Sequence, residues 1–590
     1  MSKAGKVITS VVVAAIYLLI YYITLPTLSL RHQDGYWFIA IGVIAICIIV
    51  SIWRPFQDEV LVLPAIATGV VFVVYLILIF FNSALFTSNS RYQQIGTFEE
   101  KSFTEDVLEL DTSQIPVVDI EYARRLADKR LGEDAGLGSQ MTIGEFTNKQ
   151  QINGKLYYVA PLEYRGFFKW LHNRATPGYV IVSCTNTNDV KLVLEHDDKP
   201  LQLKYVNTAW FGEDLKRHLH NSGYATTALT EYSFELDDTG YPYWVVTTYA
   251  NKHWGSCGEA TGVVICDPQT GATEWYSVDE APEWVDIIQP ESFVVKQLEN
   301  YGTLIHGPFN FSQRDELSVT KYVTTVFNNG DCYYYTGMSS KGGDQSTVGF
   351  VMVNTRTKEV KMYHMNGGAT ESAAMQSANG ATQNYGYKAT QPIPLNISGI
   401  PTYFCTMKDD SGLVKTYCMV CIENYSIVKT DESLASLKRS YINAVSTSGQ
   451  SMDFSQETYS YSITGVVTRI SANVESGETV YYLIIDEDST KIFVGSYVVS
   501  DELPITREGD TVTVTYLNDN NGVINIITFD NVAFSTPVSE GQASLNQDQA
   551  NNNPISSENS SIVSVDPDAN TEFWDSLTEE EKADIINSLN

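Results

Sequence analysis

Basic residues are scarce. The chain of 590 residues holds 38 Lys and Arg against 70 Asp and Glu, a formal net charge of −32. Residues 1–90 contribute almost nothing to that excess, because Lys3, Lys6, Arg31 and Arg54 offset Asp34, Asp58 and Glu59. The rest is strongly acidic, and an acidic surface repels a phosphate backbone, so no nucleic acid is expected as a partner. Cysteine is scarce too, and eight in this length do not make a disulfide framework. The eight histidines (His32, His172, His196, His218, His220, His253, His306, His364) form no HExxH and no Cys/His zinc spacing, so no metal and no cofactor is expected. P-loop, Rossmann-type glycine and GxSxG patterns are all missing. Cys418-Met419-Val420-Cys421 is a CxxC, but in a β-patterned run its two thiols face opposite ways, which argues against a redox or zinc pair. The acidic turns at 486–488 and 518–522 lack the ligand spacing of a calcium loop.

What is present begins with three apolar runs, residues 7–25, 36–53 and 60–81. Each is near the roughly 20 residues a helix needs to cross the hydrocarbon core, and none carries a charge. Tyr21, Tyr22, Tyr36, Trp37 and Trp53 stand near the run ends, where amphipathic rings favour the interface. Lys3 and Lys6 would also suit a cleaved signal peptide, but no small-residue cleavage site precedes Pro26 and two further runs follow. Residues 1–88 are therefore read as three transmembrane helices with a tight turn at 54–59. Lys3, Lys6 and Arg54 on one side outweigh Arg31 and Arg91 on the other, which places the N-terminus inside and the large acidic portion outside the cytoplasm.

A polar stalk, residues 82–111, leads into a pattern of helix, hairpin, hairpin that recurs four times. The units are 89–204 (with the stalk), 205–286, 287–368 and 369–447. Helices are expected at 119–131, at a run that puts Phe211, Leu215, His218 and Leu219 on one face, at 291–301 and at 371–377. Their starts lie about 80–90 residues apart, a domain-sized repeat rather than a solenoid. Tyr157-Tyr158, Tyr243-Trp244, Tyr333-Tyr334 and Tyr403-Phe404 mark the same strand each time, and each unit is expected to be a separate core. A helix at 432–445 closes the array. The clearest hairpin is 262–278, GVVICDPQTGATEWYSV, where Pro268 presets φ for the first corner and Gly271 takes the positive φ that closes it.

Cys266-Asp267-Pro268-Gln269-Thr270-Gly271 carries a hairpin of the form V-x-D-x-x-T-G-x-V. Val353-Asn354-Thr355-Arg356-Thr357-Lys358-Glu359-Val360 follows it with Lys358 in the glycine position. A helix followed by strands ending in that hairpin resembles the PepSY family of small extracytoplasmic modules. The likeness is better in the second and third units than in the first and fourth, which keep only the hydrophobic pattern. The resemblance implies binding and restraint, often of peptidases, rather than catalysis.

Residues 455–534 change rhythm. Five short strands at 460–470, 479–486, 491–498, 511–516 and 523–529, with a G-x-V-x-x-I start, resemble an OB-type barrel; any other small β-domain is an equal reading. Few basic residues accompany Tyr481 and Tyr482 there, which again speaks against nucleic acid. Residues 535–570 contain no Lys or Arg and are rich in Ser, Asn, Gln and Asp, the composition of a disordered linker. In residues 571–590, Phe573, Trp574, Leu577, Ile585, Ile586 and Leu589 punctuate an acidic run, and Thr578 with Glu581 fits a capping box. That helix, from Thr571 to Leu589, either docks on a partner or folds back on its own domain.

Two long loops stand out as candidate recognition surfaces. Residues 165–178 carry Phe167, Phe168, Trp170 and His172, and residues 251–262 carry His253 and Trp254. Exposed aromatic loops on a rigid scaffold are where recognition usually sits. The competing account has them packed on a neighbouring unit or, for the first, on the membrane surface. Gly255-Ser256-Cys257-Gly258 after His253 resembles a cysteine-protease neighbourhood, but a His in the same loop is not the spatially assembled partner such an enzyme needs. The sequence thus reads as an α+β chain: a three-helix membrane anchor, four tandem PepSY-like repeats, a small OB-like barrel and a disordered tail. Its expected role is that of a bacterial-type, membrane-anchored extracytoplasmic binding or scaffold protein, non-catalytic, with a protein or cell-envelope partner. An envelope hydrolase with an unrecognised site and an accessory subunit of a membrane assembly are the alternatives.

Overall fold

The computed structural model describes residues 2–53, 62–108, 114–145, 149–341, 346–447, 460–475, 478–497, 499–517 and 523–534. The expected turn at 54–59, the linker 535–570 and the terminal helix 571–590 lie outside the described residues. Helices α1 (Lys3–Thr24), α2 (Gln33–Trp53) and α3 (Val62–Phe81) are long and apolar enough to cross a membrane. Tyr17 of α1 stacks on Phe38 of α2 at 4.6 Å, and the Tyr36 hydroxyl donates to the Val71 carbonyl of α3 at 2.7 Å. Gly42 permits the first contact, since a Cβ there would lie 2.7 Å from the Tyr17 hydroxyl. Elsewhere α1 and α3 present Val, Ile, Leu and Phe outward, the surface that lipid requires.

The stretch after α3 is not the free stalk its polarity predicts. Helix α4 (Ala84–Tyr92) leads into a 3-10 turn, Gln93–Ile95, and strand Phe98–Glu100 then pairs in parallel with residues 360–362 of the third unit. Ile95 and Phe103 are buried. Isolated apolar residues in a polar stretch have no period to read, yet each fills a slot in that unit's core.

Four sheets follow, one in each expected unit, antiparallel apart from the parallel edge strand Phe98–Glu100. The strand bearing the aromatic pair is Lys155–Tyr164, Pro242–His253, Asp331–Ser340 and Ile400–Lys408 in turn. It pairs with the hairpin strand, which is Tyr179–Ser183, Ser256–Cys266, Ser346–Asn354 and Val414–Cys421. The turn after the hairpin strand is built alike in all four. Side-chain oxygens of Asn186, Asp267, Asn354 and Asn424 each accept the backbone N–H two residues on, at 2.8–3.2 Å. This is the local bond by which Asn and Asp initiate turns.

A carbonyl near the same turn then receives the chain on its way to the unit's helix. Val117 and Val118 donate to Cys184, Lys204 and Tyr205 to Pro268, Ile288 and Gln289 to Thr355, and Ala369 to Ile422. The repeat is therefore legible in hydrogen bonds even where the residue types diverge. Helices Ile120–Gly132, Glu291–Thr303 and Glu371–Ala381 form close to the expected positions. Unit two is poorer, with a 3-10 turn Phe211–Glu213 and a short helix Leu215–Leu219; Leu215 and Leu219 are buried but Phe211 faces out. His218 is half-buried, its Nε2 2.7 Å from the Gly271 carbonyl.

The units are not separate cores, contrary to expectation. One apolar cluster joins units one, two and four, and another joins three and four. The cause is that both faces of the central strands are apolar. Consecutive Tyr403 and Phe404 are both fully buried, each in a different cluster, and the Tyr403 hydroxyl meets that of Tyr335 at 3.1 Å. Cys418 and Cys421 likewise face opposite ways into the two clusters, as strand geometry dictates. Polar links reinforce the junctions. The Gln150 amide donates to the Leu236 carbonyl at 2.6 Å and accepts its N–H at 2.9 Å, and the Arg356 guanidinium donates to the Pro282 carbonyl at 2.7 Å.

After the closing helix Leu434–Thr447, strands Ser460–Glu475, Glu478–Ile485, Ile492–Ser496, Thr511–Leu517 and Val523–Asn531 close into a five-stranded barrel. Around it the strands run first, second, third, fifth, fourth and back to the first, and the third and fifth are parallel. The barrel has its own core, built on Leu483, Ile485, Phe493, Val512 and Ile524.

Candidate functional site

The first aromatic stretch is a helix, not a loop. Gly166 at φ +102 starts it and Arg174 at φ +56 stops it, so Phe167–Asn173 is a self-contained seven-residue segment. Trp170 is only 2% exposed: its indole N–H donates to Glu213 at 2.9 Å and the Arg174 guanidinium lies 4.5 Å over its ring. It is a core residue, not the exposed anchor the sequence reading makes it. Phe168 and His172 are exposed, and Phe167 is half-buried between Trp170 and Trp210.

The second stretch is not a loop either. Strands Pro242–His253 and Ser256–Cys266 run past the expected loop and turn over two residues, Trp254-Gly255, with His253 paired to Ser256. The tip docks on the apolar helices. Trp254 packs edge-on against Tyr36 at 5.4 Å and Tyr75 at 5.7 Å, its indole N–H donates to the Leu30 carbonyl at 2.8 Å, and its backbone N–H donates to Asn82 Oδ1 at 2.9 Å. Gly255 is at φ +66, and a Cβ there would lie 2.6 Å from Gln33. His253 Nε2 lies 3.1 Å from the Ser90 hydroxyl; burial, then Arg91, holds its imidazole below the ordinary histidine range. The second stretch thus sits at the end of the body that meets the apolar helices.

A different feature has the shape of a binding site. Between the first, third and fourth units lies a cleft of about 940 Å³, adjoining a second of about 660 Å³. Two Asn-Gly turns line the larger one. Asn153-Gly154 and Asn329-Gly330 all have positive φ (50, 75, 54 and 86°), as two-residue hairpin turns require, and the Ile152–Lys155 and Asn328–Asp331 pairs close them. Gln151, Asn186 and Asn328 add amides to the lining. Lys149 lines both clefts; its ammonium donates to the Thr325 carbonyl at 3.4 Å, and burial holds its pKa below the ordinary lysine range. The Asn-Gly dipeptides were the available sequence signal. What sequence could not show is that two distant units bring them to one cleft.

Asp286 and Glu235 are buried close by, and burial first, then the Glu235 charge, pushes the Asp286 pKa well above the carboxylate range. Asp286 accepts the Gln151 N–H at 3.2 Å, and its carbonyl accepts the Thr355 hydroxyl at 2.5 Å. It joins three units and does not line the clefts. Among the described residues no three His, Cys, Asp or Glu converge to hold a metal. Compared with known proteins, the chain matches no family model, no curated protein and no solved structure.

Proposed function

We propose that this chain is a multi-pass membrane protein that holds a binding body of four PepSY-like repeats and an OB-like barrel outside the cytoplasm. Its function is to bind a protein or envelope partner rather than to turn over a substrate. The observation that carries the binding reading is the cleft at the junction of units one, three and four, with Lys149 and a set of amides along it. Amides and a desolvated ammonium of this kind recognise the polar groups of a ligand. The barrel's strand order and its parallel third and fifth strands support the OB-like reading. The Asx turns of the second and third units support the PepSY-like one. Orientation rests on Lys3 and Lys6 at the far end of α1 from the body.

A photoreactive residue in place of Asn329 tests this in native membranes. A discrete adduct at Asn329, absent from the exposed Tyr385 and lost on Lys149→Met, is expected. Equal labelling at both positions, or no adduct at either, would overturn the binding role of the cleft.

A further inference from the structure

We propose that the surface made by helix Phe167–Asn173 and the turn at 210–211 lies in the headgroup layer of an anionic bilayer, beside the end of α1. The inference rests on the membrane-anchor reading and adds a second, peripheral contact to it. Four apolar side chains there are uncovered: Phe168 is 79% exposed, Phe211 56%, Leu171 50% and Trp210 46%. They belong to one patch, because the Phe167 ring lies 5.5 Å from Phe168, 5.1 Å from Trp210 and 6.5 Å from Phe211. The patch is held rigidly from below by Trp170 and its bond to Glu213. Monomeric soluble surfaces rarely gather several large apolar side chains without a use for them.

Its position in the fold selects the occupant. The segment that follows the patch clasps the end of α1. Arg217 lies 3.9 Å over the Tyr22 ring and donates to the Tyr22 carbonyl at 2.7 Å, His220 Nε2 is 3.2 Å from the Pro26 carbonyl, and Leu28 donates to Ala225 at 2.7 Å. Tyr22 belongs to the last turn of α1, so Arg217, six residues beyond Phe211, stands at the level where that helix leaves the hydrocarbon. Exposed Trp and Phe at that depth match the aromatic belt of membrane interfaces. Charge agrees with composition. Residues 165–174 and 204–217 hold Arg165, Lys169, Arg174, Lys204, Lys216 and Arg217 against Glu213 and Asp214 alone, in a chain where acids outnumber bases 70 to 38. Arg174 neutralises Glu213 at 2.6 Å. A basic rim on an otherwise acidic molecule, level with a helix end, is placed to meet anionic headgroups.

The test uses the full chain in vesicles containing phosphatidylglycerol, with a nitroxide on Phe168→Cys, Ile16→Cys or Tyr385→Cys in turn. Relaxation by oxygen, which partitions into hydrocarbon, is compared with relaxation by a water-soluble nickel chelate. Phe168 is exposed, so the label leaves folding intact. The Ile16 label should favour oxygen strongly, the Tyr385 label should favour nickel, and the Phe168 label should report immersion of about 5–10 Å. A Phe168 label as water-accessible as Tyr385, with Ile16 immersed, would overturn the patch proposal while leaving the anchor in place. A water-accessible Ile16 would overturn the anchor itself.

Discussion

At the scale of single residues, the two tryptophans that look alike in sequence do different structural work. Trp170→Ala empties a buried site and removes the donor that faces Glu213, so it should cost about 3–5 kcal/mol. Trp254→Ala removes two edge-on ring contacts and an indole hydrogen bond at the seam with the apolar helices, for a loss of about 2 kcal/mol. Denaturant titration of the two variants checks both magnitudes, and a loss below about 0.5 kcal/mol in either would mark that ring as a surface group. Glu163 gives a pH test. Burial, then the Glu145 charge, raises its carboxyl from 4.5 to about 7. The folded state therefore holds the proton more tightly than the unfolded state. That contribution to stability is complete below 4.5 and is lost as pH rises through 7. Glu163→Gln should match the parent near pH 4.5 and exceed it at pH 8 by on the order of 3 kcal/mol, read from denaturation midpoints at the two pH values.

At the scale of elements, the hairpin that opens on Gly262 explains what the sequence allows one to read. Gly271 stands at φ +76, and a Cβ there would meet the Tyr205 ring at 2.5 Å and His218 at 2.8 Å. Lys358 occupies the matching turn of unit three at φ +66, where its side chain reaches Glu259 instead of a wall. The same backbone state thus tolerates a lysine in one copy and only glycine in the other. Gly271→Ala should destabilise by about 2 kcal/mol or more, with denaturant titration as the check. Turns of this kind were legible because Asn, Asp and Gly name their own geometry, and the barrel's five strands were legible because their alternation is clean. The strand Leu317–Asn328 was not: a register shift between Val319 and Val323 interrupts its alternation. The docked tip of strands Pro242–His253 and Ser256–Cys266 also escaped, because its partners lie more than 160 residues away in sequence at Leu30 and Asn82.

At the scale of the whole molecule, burial on both faces ties the repeats together while the barrel keeps a core of its own. Period and aromatic pairs located the units, but periodicity within one unit cannot say which of its faces meets another. Val514→Ala, in the barrel, should lower one calorimetric transition alone, whereas Phe404→Ala should lower the transition of the repeats as a block. Four independent melting steps for the repeats would contradict the shared cores.

The most direct test of the account is where the repeat body lies. Tyr385 is 73% exposed in unit four, and six of the eight native cysteines are buried. A membrane-impermeant maleimide should label Tyr385→Cys in intact cells to the same extent as after lysis. Labelling that appears only after lysis would put the body in the cytoplasm and contradict the account.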